Sequence, residues 1–337
     1  MPLALLAAAL CIAAPSAAAP PAAPLPAGSR LVTVRGAGLH VRTLGADRPG
    51  PAVVLLSGPT GHWHADSGWF ALLQPLLARR HRVHAIDRAG HAFSPPAGDG
   101  SYRRFGDDLA ALLPALEREP VVVVAFASAN LALHRLFAAG GARHVRAVLL
   151  IDPDALHPEL VRFYADQAKP FADAEALRAY VEAGKYDARA EGFRVEELAE
   201  VRGLVPADVA AAMDWPYYEA VARLRADRAH VLARFAETAR YGEDVEAAAA
   251  VPWPAGVPVW SLDTDFEAAD AARAEDPAER AKLERWRALS TGFMDGLPGG
   301  CRIASASREH LAPVADAPRV AALVEGLLGG APCPARP

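Results

Sequence analysis

"VVVVAFASANLALHRL", residues 121–136, decides how this chain is read. Four valines run into a stretch of mostly small residues, and apolar residues then return at the spacing of a helix. A continuous apolar run of this kind fits a strand buried on both faces, the usual state of a strand in a parallel sheet. The small residues leave room for a sharp turn between that strand and the helix.

The same unit recurs on either side. "PAVVLLSG" (51–58), "HRVHAID" (81–87) and "VRAVLLID" (145–152) read as further strands, with helical patterns at 69–80, 102–118 and 129–139 between them. Strands alternating with helices predict a mostly parallel, doubly wound α/β sheet. Upstream, "RLVTVRG" and "LHVRTLG" alternate around Gly36 and Gly38 and predict an opening β-hairpin. From 155 to 252 the alternation stops. That segment is rich in Ala, Glu and Arg, helical in pattern, and broken by Pro158, Pro170, Pro206 and Pro216. Alternation resumes with "VPVWSLD" (257–263), a long helix at 277–294, a strand in "CRIASAS" (301–307) and a closing helix at 318–328. The expected organisation is therefore a core of 29–154 and 253–330, a helical insertion at 155–252 and a tail at 331–337.

With 337 residues, 52% of them hydrophobic, the chain is long enough for one large α/β domain carrying an insertion. Lys and Arg number 35 against 40 Asp and Glu, a net charge of −5 with no concentrated basic run, which argues against nucleic acid as a partner. "MPLALLAAALCIAAPSAAAP" begins with an apolar stretch too short to span a bilayer and followed by small residues. Residues 1–19 are read as an export signal, giving a periplasmic or secreted bacterial protein with no membrane span after cleavage. The "PPAAPLPAG" stretch (20–28) is read as an extended tether. Export would leave Cys301 and Cys333, and two cysteines in an oxidising compartment suggest a disulfide pinning the tail to the last strand.

Taken together, the segments resemble the α/β-hydrolase fold family over roughly residues 30–330. "VVLLSGPTG" stands where the family has a strand leading into an oxyanion loop (Gly58, Pro59, Thr60), and "AIDRAGHAFSPP" is similar to its Asp-Arg-x-Gly-x-Gly-x-Ser segment, with Ala92 in place of the second glycine. "FGDDLAALLPAL" is similar to the helix before the nucleophile elbow. "REHLAPVADAPRVAALVEGLL" resembles the family's end, a loop histidine before a closing helix, and the insertion sits where the family has its cap. The resemblance implies an α/β-hydrolase fold with an N-terminal hairpin and helical cap, acting on esters or similar small apolar substrates. It implies His310 as the base that would take a proton from a nucleophile and return it. It places the paired acid shortly after "VPVWSL", at Glu267 or Asp265, with Asp154 as the location some relatives use.

The elbow itself departs from Gly-x-Ser-x-Gly. Residues two before and two after the nucleophile must be small. With the apex at Ala127 these are Ala125 and Ala129; with the apex at Ser128 they become Phe126 and Asn130. The apex is therefore placed at Ala127, the nucleophile-equivalent position, and Ser128 is read as a local cap of the helix. Pro59, where the family has an oxyanion donor, has no N–H. Three readings stand: weak or degenerate catalysis; an active acyl hydrolase using Ser128 with His310, or a water activated by His310; and proton-transfer chemistry with no nucleophile. A binding module for a small apolar molecule or a protein is the non-enzymatic form of the first. "DWPYY" (214–218), Phe163, Tyr164 and Phe171 are aromatics that could line an apolar pocket. His62 and His64 lack a third ligand at metal spacing, so no metal is expected, and no glycine loop implies an organic cofactor. The sequence does not set the oligomeric state.

Overall fold

A computed structural model describes residues 24–334 except 60, 61 and 63. Residues 1–19, read as a signal, and Thr60 of the oxyanion loop lie outside the described residues. The strands are β1 (Ser29–Val34), β2 (Ala37–Leu44), β3 (Val53–Ser57), β4 (Val83–Ile86), β5 (Val121–Phe126), β6 (Val145–Ile151), β7 (Val259–Asp263) and β8 (Cys301–Ala304). They form one sheet in the order β1-β2-β4-β3-β5-β6-β7-β8. β1 and β2 form the antiparallel hairpin, β2 lies antiparallel to β4, and every later pair is parallel.

Helices α1 (Leu73–Ala78), α2 (Tyr102–Leu116) and α3 (Ala129–Ala138) alternate with strands as far as β6. Between β6 and β7 come α4 (Pro158–Ala168), α5 (Ala174–Glu182), α6 (Asp187–Leu204), α7 (Trp215–Ala226) and α8 (Arg228–Ala249), the helical insertion. Helices α9 (Phe266–Arg273) and α10 (Pro277–Asp295) precede β8, and α11 (Ala312–Ala315) and α12 (Ala317–Leu328) close the described chain. The expected helix at 69–80 is divided. The Asp66 side chain accepts from Gly68 N at 3.0 Å and starts a 3₁₀ turn over Ser67–Phe70, so the α-helix begins only at Leu73.

The period-2 geometry of a strand sends alternate β5 residues to opposite faces. Val123 and Ala125 join the cluster packed by α2 and α3, whereas Val122 and Val124 join the one packed by α1 and α12. Both faces are therefore covered, which is why these strands read as unbroken apolar runs. At the carboxyl edge the register is level: Ser57, Ile151 and, through it, Leu262 line up with Phe126. The residues just past these strands consequently emerge side by side.

The insertion is held down by buried charge. α8 turns a polar stripe inward, with Arg234, Glu237, Tyr241 and Asp244 following one another at helical spacing, all buried. Glu237 meets Arg88 at 2.5 Å and His91 at 2.7 Å, and Asp244 accepts from Tyr102 N at 2.7 Å. Gly90 lies so close to α8 that a Cβ there would sit 2.6 Å from the Cβ of Ala233. On α7, Arg225 grips both oxygens of Asp66 at 2.7 Å and also pairs with Glu197 of α6. Its guanidinium lies 4.2 Å above the Trp69 ring.

Cys301, the first residue of β8, is joined to Cys333 in the tail by a disulfide. No described helix is long and apolar enough to cross a membrane.

Two stability predictions follow from these ties. Arg225→Met leaves Asp66 and Glu197 buried without their cation and should cost about 3–5 kcal/mol in urea unfolding; a loss under 1 kcal/mol would mean the triad contributes little. Closing a loop of 32 residues' separation, the disulfide should contribute about 3–4 kcal/mol, read as a fall in Tm for Cys333→Ser. An unchanged Tm would show that the tail adds nothing to the fold.

Candidate active site

The turn between β5 and α3 has Ala127 at its apex, at φ +49. An L-residue there costs on the order of 1–2 kcal/mol. The conformation is held by Ala127 N donating to Ile151 O at 2.9 Å and by Gly58 N donating to Phe126 O at 2.7 Å. Gly58 has no room for a side chain: a Cβ would stand 2.2 Å from Ser128 N. Ala127 lies on the wall of a chamber of about 320 Å³ between the sheet edge and the cap. Pro59 lies on the same wall and offers no N–H.

Asp152 is the counterpart of Ala127 on the next strand. It too has a positive φ, +42, and its level position follows from the Phe126–Ile151 register. Its carboxylate accepts from Thr264 N at 2.8 Å and Thr264 Oγ1 at 2.6 Å. It then meets His310 Nδ1 at 3.0 Å. The imidazole is sandwiched between Phe126 and Phe266, with centroids 4.9 and 4.4 Å away. With Nδ1 engaged by Asp152, Nε2 is the nitrogen left to act in the chamber, which His310 lines. This is the arrangement of an oriented base: a carboxylate fixes the ring and its tautomer.

The acid beside His310 is thus Asp152, not Glu267, Asp265 or Asp154. Asp265 starts α9 in a left-handed conformation and turns to Arg287, with Arg308 3.8 Å away. Glu267, the second residue of α9, lines the chamber. Burial pushes its carboxyl up to about 7, and the nearby Asp152 charge adds to the shift. Asp154 accepts a hydrogen bond from the Tyr241 hydroxyl, and burial raises its carboxyl above the usual range.

Ser128 does not cap α3. Its side chain makes no bond to the helix amides, and its Oγ lies 2.5 Å from the hydroxyl of Tyr241 on α8. The hydroxyl is therefore part of a Ser128–Tyr241–Asp154 chain rather than a partner of His310.

Of the aromatics expected at the pocket, Phe163 and Tyr164 line this chamber, joined by Tyr241, Phe266 and Trp286. Tyr217 and Tyr218 are buried in cap packing instead, bonded to Ser67 and Glu197. Phe171 lines a separate cavity. The acidic lining consists of Asp152, Asp154, Asp263 and Glu267. Among the described residues no group of His, Cys, Asp and Glu is placed to hold a metal ion. His64 is instead engaged by Arg234 at 3.0 Å, and burial followed by the Arg225 and Arg234 charges lowers its pKa well below the ordinary value.

Two of these residues carry different sequence signals. Asp152 could have been found by aligning strand ends, since residues 127 and 152 each follow directly on a paired strand end. Tyr241 had no local signal, because only the packing of α8 brings it to Ser128.

Residues 51–185 match the family described as "alpha/beta hydrolase fold". No curated protein sequence matches the chain. Among solved structures, the chain is similar to a putative alpha/beta hydrolase from Nostoc sp. PCC 7120. That pair is 17% identical with a TM-score of 0.58, over 89% of this chain and 97% of that one. An epoxide hydrolase from Vigna radiata is 15% identical with a TM-score of 0.58, over 90% and 97%. A serine hydrolase involved in carbazole degradation is 15% identical with a TM-score of 0.55, over 89% and 98%. The eight-stranded sheet, its hairpin and its helical insertion are those of the α/β-hydrolase fold.

Proposed function

We propose that this chain binds a small, uncharged, largely apolar molecule in the chamber above Ala127 and forms no covalent intermediate with it. The observation that carries this reading is the left-handed Ala127 at the apex of the β5–α3 turn, a methyl group where the fold presents its nucleophile. Ser128 does not substitute, since its Oγ is engaged by Tyr241. The ligand class follows from the walls: Phe163, Phe266, Trp286 and Met294 provide apolar surface, and the carboxylates opposite disfavour an anion. The hydrolase names of similar structures support a small-molecule ligand.

One observation favours residual non-covalent turnover. The Asp152–His310 pair remains hydrogen-bonded at 3.0 Å, so His310 can act as a general base on a water or on an acidic proton of the ligand. Such a route lacks the nucleophile and the donor that Pro59 cannot supply. Loss of one such donor alone costs about 100- to 1,000-fold.

Fluorophosphonate labelling tests the covalent step. Wild type should remain unlabelled, Ala127→Ser should become labelled at residue 127, and adding His310→Ala should abolish that label. A label on Ser128 of the wild-type chain would overturn the reading. Any slow release of p-nitrophenol from a p-nitrophenyl ester should show no burst and should fall at least about ten-fold in His310→Ala. A pre-steady-state burst would point to a covalent intermediate after all.

Glu267 yields a pH prediction. Its carboxyl is raised in the folded state, so ionisation opposes folding: stability is lost as pH rises from about 4.5 through about 7. Glu267→Gln should therefore raise stability at pH 8 by at most about 3 kcal/mol and leave it nearly unchanged at pH 4. Equal effects at both pH values in chemical unfolding would contradict the assignment.

A further inference from the structure

A second cavity, of about 470 Å³, lies between cap helices, with His62 from the loop after β3 also on its wall, and has a lining opposite in charge to the first. Its walls are aromatic and aliphatic, with Phe171, Leu177, Tyr186, Phe193 and Phe235 from α5, α6, α8 and the turn after α4. The charged side chains that line it are Arg234 and Arg189, and no carboxylate does. The chamber above Ala127, in contrast, has four carboxylates in its wall.

Arg234 is the unusual group. Its side chain is 5% exposed, yet its hydrogen bonds go to neutral acceptors, His64 Nδ1 at 3.0 Å and the Tyr186 hydroxyl at 3.3 Å. Among the described residues no carboxylate forms an ion pair with it. Glu197, the carboxylate whose charge it feels, gives its Oε1 to Arg225 and Tyr218, while its Oε2 lies 3.6 Å from His64 Nε2 and makes no direct pair with Arg234. His64 must accept from the guanidinium, so the imidazole is neutral there and cannot add to or cancel its charge. A buried guanidinium with no direct carboxylate partner is costly, and proteins place charges so only with a partner or a ligand. Burial accordingly lowers the Arg234 pKa, a sign that the cation is poorly compensated by the protein alone. Arg189 stands at the exposed rim, 5.1 Å over the Phe193 ring, and likewise makes no ion pair among the described residues.

We infer that this cavity is a binding site for an organic carboxylate with an apolar or aromatic body, its carboxylate held by Arg234 and Arg189 and its body against Phe171, Tyr186 and Phe235. Guanidinium groups suit this, since their planar donors match a carboxylate with two parallel bonds. The apolar body supplies the burial that a free inorganic anion lacks. The site is independent of what happens at Ala127: Arg234 and Tyr241 are seven residues apart on α8, about 10 Å at the rise of a helix.

Calorimetric titration of the full oxidised chain with 2-naphthoate, beside the uncharged 2-naphthalenemethanol, tests the assignment. Wild type should bind naphthoate more tightly than the alcohol. Arg234→Met should weaken naphthoate by at least about ten-fold and leave the alcohol within about three-fold. The same variant should keep or raise the Tm, because it removes a poorly compensated buried charge. Arg189→Met, at an exposed position that cannot disturb the core, should weaken naphthoate in the same sense and serves as the readout if Arg234→Met does not fold. Absence of naphthoate binding, preference for the alcohol, or affinity insensitive to both substitutions would overturn the proposal.

Discussion

The inward polar stripe of α8 is the constraint on which the rest of the molecule depends. A helix with Glu237, Tyr241 and Asp244 on its buried face can only pack where each finds a partner. The core supplies them at fixed points: Arg88 and His91 from the loop after β4, Ser128 at the start of α3, and the first amides of α2. Hydrophobic contact would let a helix slide by a turn at small cost. Matched buried hydrogen bonds would not, because a shifted register leaves several polar groups unpaired at once. The height of the cap above the sheet, and with it the size of both cavities, is set in this way.

Two constructions meet at that height. Below is the sheet edge, where level strand ends bring Ala127 and Asp152 out side by side, both in left-handed conformations. Above is the cap, which contributes Tyr241 to the lower chamber and Arg234 to the upper one. The lower chamber is acidic and the upper basic, so two ligands of different charge type can be sorted by a single helix. The hydrogen-bonded chain Ser128–Tyr241–Asp154 spans the seam between core and cap.

What could be read in advance followed local physics. The doubly wound sheet was legible because strands buried on both faces leave unbroken apolar runs such as residues 121–124, and the turn apex because only small residues fit beside it. His310 was legible from its place between the last strand and the closing helix. Its acid was not read correctly, since three acidic residues crowd the end of β7 and two more follow β6, and distance along the chain does not rank them. Register does: Asp152 lies level with Ala127, whereas Asp265 turns outward to Arg287. The cap was readable as helical but not as a wall of two cavities. α8 buries charged groups among its apolar ones, so its inward face carries no clean apolar stripe to follow.

The bond between Cys301 and Cys333 also bears on how the molecule behaves among its own copies. Among the described residues β8 ends the sheet and its outer side has no neighbouring strand, and an unpaired edge of this kind is where another chain could add on. The tail anchored to the first residue of that strand carries Pro332 and Pro334 on either side of the cysteine. Neither can donate to a ladder, so the segment held nearest the open edge is one that is poorly able to extend the sheet. The disulfide therefore fixes a proline-flanked segment to the first residue of the edge strand, where a chain free to extend the sheet would be a liability.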